Sequence, residues 1–97
     1  MPELDDAIQK IESTLGILRR SSSERWVLRC EQFLRDVRGS QIFKQKQALF
    51  EIGELCHPKA LGDVRVAELD YQAWHSQLDD LHDSCARAFN SLERRAA

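Results

Sequence analysis

Three side chains of the C-terminal third could do chemistry together. His75, Asp79 and His82 lie four and three residues apart, so on a helix they share one face. Imidazole and carboxylate at one-turn spacing can bind zinc or a related ion. One helix supplies only three ligands, and no matching set stands elsewhere in the chain. The two histidines also flank an apolar stripe, where an amphipathic ring commonly covers the stripe's edge. We therefore expect no metal and no other cofactor. Asp79, Asp80 and Asp83 form an acidic cluster on the same helix. Acid–base catalysis by paired carboxylates needs a cleft that separates their pKa values, and a convex helix face provides none. Cys56-His57 suggests a nucleophile and its base, yet adjacent residues seldom reach thiolate–imidazole geometry and no orienting acid is identifiable. These residues point to binding, not to an enzyme.

The elements that must position them are helices. Leu4, Ile8, Ile11, Leu15 and Leu18 recur at alternating spacings of four and three, which predicts a helix over Glu3–Arg20. Ser21 and Glu24 have the spacing of a capping box. A second helix follows to Arg38, with Trp26, Val27, Cys30, Phe33, Leu34 and Val37 as its apolar stripe and Glu31–Arg35 as an ion pair. Gly39 ends it where a positive φ is cheap. Ser40 can cap a third helix over Gln41–Cys56. Its apolar contacts are expected from Ile42, Phe43, Leu49, Phe50, Ile52 and Leu55, its solvated side from Lys44, Gln45, Lys46 and Gln47. The final helix spans Leu69–Arg94, with Tyr71, Trp74, Leu78, Leu81, Cys85, Ala88 and Leu92 on one seven-residue repeat and Asp70 as cap. Connections between the first three helices are short, so consecutive helices are antiparallel neighbours. The expected architecture is an all-α antiparallel bundle of four helices in one domain, residues 1–97. A three-helix core with an appended helix is the alternative topology.

Composition narrows the function further. The chain has 14 Lys and Arg against 16 Asp and Glu, a net charge of −2. There is no bulk attraction to nucleic acid or to an acidic membrane. The distribution is uneven: residues 10–46 carry +5 and residues 47–86 carry −6. Internal pairing between helices would absorb the imbalance; an acidic face would instead attract a basic partner. Three cysteines, odd in number and far apart, suit reduced core positions in a cytoplasmic protein. The N-terminal residues are acidic and hold no apolar run of the signal-peptide kind.

The joint before the last helix is the least generic stretch. Gly62 can adopt left-handed or turn geometry, Asp63 can bond its downstream backbone, and Leu61, Val64 and Val66 can pin the loop to the bundle. A helix with Trp26, a second ending in Phe50-Glu51-Ile52, then Ala60-Leu61-Gly62-Asp63-Val64 and a long final helix form the sequence layout. That order resembles small all-helical bacterial immunity proteins of polymorphic-toxin and type VI secretion effectors. The resemblance covers residues 26–90 in layout. Cys56-His57-Pro58-Lys59 stands where those proteins carry a more glycine-rich loop. What the resemblance implies is a cytoplasmic protein that binds a cognate toxin and occludes its active site. Many such toxins act on nucleic acids or nucleotides through basic clefts, which an acidic surface would match. The expected contact residues are Glu51, Glu54, Asp63, Glu68, Asp70, Asp79, Asp80 and Asp83. The alternative is a helical adaptor, a chaperone, or a module that homodimerises through the heptad of its last helix.

Overall fold

A computed structural model describes residues 1–97 apart from Ser22, Ala67, Ala97 and the side chain of Ala96. Four helices account for most of it: α1 (Pro2–Arg19), α2 (Glu24–Arg38), α3 (Ile42–Leu55) and α4 (Tyr71–Ala96). One turn of 3-10 helix, Leu61–Asp63, interrupts the connection between α3 and α4. At 1.5 Å per residue the 26 residues of α4 run almost the full 41 Å length of the molecule.

Each helix packs on two others in a closed square: α1 on α2, α2 on α3, α3 on α4, and α4 back on α1. Every adjacent pair is antiparallel, as the cross-helix contacts show. Arg19 meets Glu31 while Arg38 meets Glu12 across α1 and α2. Asp6 meets Ser84 while Thr14 meets Gln77 across α1 and α4. Lys46 meets Glu93 while Gly53 lies by His82 across α3 and α4. The four-helix bundle is thus the fold, and the appended-helix topology is not.

The heptad of α4 buries Trp74, Leu78, Leu81, Cys85, Ala88 and Leu92, as its spacing predicts. Ser84 and Ser91 are buried beside them, where small side chains let the helices approach. Tyr71 departs from the pattern. It is 72% exposed and stacks on His75, with ring centroids 4.1 Å apart. The stripe of α2 is buried at Cys30, Phe33, Leu34 and Val37, with Trp26 and Val27 half-buried at its start.

α3 bears out Leu49, Ile52 and the partly buried Leu55 as core contacts and overturns its expected assignment at Ile42, Phe43, Gln45 and Phe50. Its buried residues are Gln45, Ala48, Leu49 and Ile52. Phe43 and Phe50 are 76% and 57% exposed, and Ile42 is exposed as well. Phe43 and Phe50 are seven residues apart, so helical pitch puts them on one face, but that face is not the buried one. Gln45 is drawn inward by the end of α2. Its Nε2 donates to the carbonyls of Val37 at 3.0 Å and Gly39 at 2.8 Å. These are acceptors that a helix C-terminus leaves without partners.

The caps also differ from expectation. Ser21 donates its hydroxyl to Ile17 O, and Ser23, without a side-chain cap bond, occupies the N-cap of α2. Gln41, not Ser40, is the N-cap of α3. Gly39 has φ −69° and ψ −177°, an extended geometry open to any residue. Glu31 pairs across helices with Arg19, while Arg35 bonds Gln32 instead. Asp70 does cap α4: its Oδ1 accepts the Ala73 N–H at 2.8 Å.

The joint between α3 and α4 is anchored at Leu61, which lies in the core. Trp74 Nε1 donates to Leu61 O at 2.9 Å, and Val64, Val66 and Leu69 pack over the core's edge. The backbone closes the turn through Asp63 N–H to Ala60 O and Val64 N–H to Leu61 O. Gly62 has no positive φ, so its turn does not require glycine; close packing does. A Cβ there would come 2.9 Å from His75 Cε1 and 3.1 Å from the His57 carbonyl oxygen. Gly62→Ala is therefore expected to cost about 1–3 kcal/mol, because one of the two obstacles is backbone. A urea titration with an unchanged midpoint would overturn that account.

Candidate functional site

A groove of about 580 Å³ lies between the outer faces of α3 and α4. Leu49, Cys85 and Ala86 contribute to its lining, and Phe50 from α3 faces Phe89 from α4. Those two rings stand 6.3 Å apart at 48°. The polar residues along it are Glu54, His57, Asp79, His82 and Asn90. No lysine or arginine is among its described lining residues. Lys46 sits nearby, 3.0 Å from Glu93 and 5.7 Å from the centre of the Phe89 ring.

The eight acidic residues named from sequence do not share one face. Glu54 and Asp79 line the α3–α4 groove. Asp80 and Asp83 face the α1–α4 seam with Asp6, Lys10 and Arg87. Asp63 and Asp70 border a hollow of about 370 Å³ beside Arg65 and Trp74. Glu51 lies near Lys44 between α2 and α3. Glu68 is held by an ion pair with Arg20. Glu51, Glu54, Asp63, Asp70, Asp79 and Asp80 make no ion pair with a described residue, and Asp83 has only His82 Nδ1 at 3.6 Å. Most of these carboxylates thus lack an ion-pair partner among the described residues.

At the α1–α4 seam the Ser84 hydroxyl donates to Asp6 Oδ2 at 2.6 Å. That bond, assisted by the charges of Lys10 and Arg87, holds the Asp6 carboxyl below its ordinary range against some desolvation. Among the described residues no three His, Cys, Asp or Glu side chains gather as a metal site. His75 turns its Nε2 into the packing against Gly62, where it finds no hydrogen-bond partner among the described residues. His82 lines the groove instead.

The thiols are unsuited to nucleophilic attack. Burial pushes Cys56 up to about 12, and Cys30 and Asp79 oppose its thiolate further. Cys85 is likewise at about 12 and Cys30 at about 11, chiefly through burial. A reactive cysteine needs the opposite shift. In the unfolded chain these thiols ionise near 9.0, so between there and about 11–12 the folded chain holds more protons. Stability is fully retained below pH 9 on this account and falls as pH rises through that window, by roughly 1 kcal/mol per pH unit for each thiol. Thermal melts from about pH 8 to 10.5 should fall less steeply for Cys30→Ala/Cys56→Ala/Cys85→Ala than for the natural chain. Parallel slopes would contradict the thiol assignment.

The exposed aromatics are what sequence reasoning missed. Their signal was the seven-residue spacing of Phe43 and Phe50, off the register of Leu49 and Ile52. Beyond the residues themselves nothing adds to the assignment: comparison with protein-family models, curated proteins and solved structures finds no match.

Proposed function

We propose that this protein acts by binding another protein, and that the partner is a bacterial toxin whose basic active site it occludes in the cytoplasm. One observation carries the reading: the exposed Phe50 ring on α3 adjoins Glu54 and Asp79, which form no ion pair with any described residue. Aromatic anchors within a charged rim are the usual composition of a protein-binding surface. The unneutralised acids favour a basic partner, since complementary fields speed encounter and suppress wrong pairings. The immunity-protein resemblance supplies the toxin.

A homodimer is the second reading. The heptad of α4 is consumed by the chain's own core, so a second copy would have to meet the strip Ile42, Phe43 and Phe50. Light scattering over a dilution series separates the two readings. A mass that stays at one chain across the series excludes the dimer.

The toxin reading is tested by capture from the source organism with this chain as bait. The captured protein, expressed alone in a heterologous host, should stop growth, and co-expression of this chain should restore it. A captured partner that is harmless alone, or whose toxicity persists, overturns the reading.

A further inference from the structure

We infer that the α3–α4 groove receives a single amphipathic helix of the partner, apolar on the face it inserts and basic along its edges. The inference deepens the protein-binding reading and rests on it. The groove runs between two antiparallel helices, the setting in which a further helix packs ridge into groove. Its apolar residues come from both banks, Leu49 and Phe50 on α3 and Cys85, Ala86 and Phe89 on α4. The half-exposed Phe50 ring gains most from being covered. Its charge is of one sign: Glu54 from α3 and Asp79 from α4, with no described lysine or arginine in the lining. An acidic or neutral occupant would leave those carboxylates desolvated without a counter-charge, whereas lysine or arginine on the inserted helix pairs with both. Asp80 belongs to the other side of α4 and takes no part, whereas Asp83 reaches the groove's edge through His82 Nδ1 at 3.6 Å.

The probe is a fluorescein-labelled helical peptide with leucine at every third or fourth position and lysine elsewhere, read by anisotropy. Two control peptides replace the lysines by glutamate or the leucines by serine. The leucine–lysine peptide should bind, and both controls should bind at least about tenfold more weakly. Ala86→Trp fills the groove from an exposed position and should weaken binding about tenfold or more. Asp79→Lys should do the same, while Asp80→Lys on the other side of α4 leaves affinity within about twofold. Helicity and melting temperature of each variant confirm that it folds. Three results overturn the inference: no binding of the leucine–lysine peptide at about 1 mM, equal binding of the glutamate peptide, or equal losses from Asp79→Lys and Asp80→Lys. Growth rescue by Ala86→Trp keeps the two proposals apart. If that variant still neutralises a captured toxin, the groove is wrong and the toxin reading stands. If the peptide binds as described and no toxin is found, the groove stands alone.

Discussion

Trp74→Ala is expected to destabilise the protein by about 4 kcal/mol, enough to bring a domain of this size close to unfolding. Trp74 is 2% exposed and does two jobs at once. Its ring fills the core at the start of α4, and its indole N–H satisfies the carbonyl of Leu61. Alanine removes both, leaving a cavity and a Leu61 carbonyl that keeps only the Val64 N–H as donor. Trp74→Phe separates the two contributions. It keeps most of the ring volume and loses only the donor, which should cost about 1–2 kcal/mol. The phenylalanine variant should also loosen the segment that Leu61 anchors. Trypsin would then cut at Lys59 and Arg65 faster than in the natural chain, while the helices stay intact by circular dichroism. Equal cutting rates would mean that the indole bond does not hold the joint.

The second large effect is at Gln45. Gln45→Ala should cost about 2–3 kcal/mol, because the Val37 carbonyl is left buried and unpaired and the side-chain packing is lost as well. For a chain of this length that corresponds to a fall in melting temperature on the order of 10 °C or more. Gln45→Glu should be worse at neutral pH. A carboxylate has no donor and would face two carbonyl oxygens in a partly dry site. Differential scanning calorimetry of the two variants checks the ranking. A glutamate variant as stable as the natural chain would show that the amide donor contributes nothing.

These two residues mark what was and was not legible in the sequence. Trp74 sits on a repeat that alternates by three and four, and its burial follows from spacing alone. The same holds for Leu78, Leu81, Cys85 and Leu92. Gln45 could not be read that way. It occupies a buried position on α3 because the end of the preceding helix needs a donor, and only the antiparallel packing of α2 and α3 puts that need beside it. Once a polar residue takes a stripe position, the apparent apolar face rotates, and Phe43 and Phe50 read as core when they are exposed. The caps failed for a related reason. Three consecutive serines offer equivalent hydroxyls, and packing decides which one begins α2. Charge was legible as a total for each half, but its division among grooves depends on which side of α4 each carboxylate takes. Asp79 and Asp80 are neighbours in sequence and line different grooves.

The closed square of helices has a kinetic consequence. Three of its four sides join consecutive helices, while the fourth, α1 against α4, joins the two most distant. The Asp6–Ser84 bond spans 78 residues and the Thr14–Gln77 bond 63. Loop-closure entropy makes such contacts slow to form, so the α1–α4 side is expected to close after the folding barrier. Ser84→Ala should then speed unfolding and leave the refolding rate nearly unchanged in a stopped-flow chevron. A slowed refolding limb would place that seam in the nucleus instead. On that expectation the last side to close is also the first to open, and transient exposure of the core would begin between the first helix and the last.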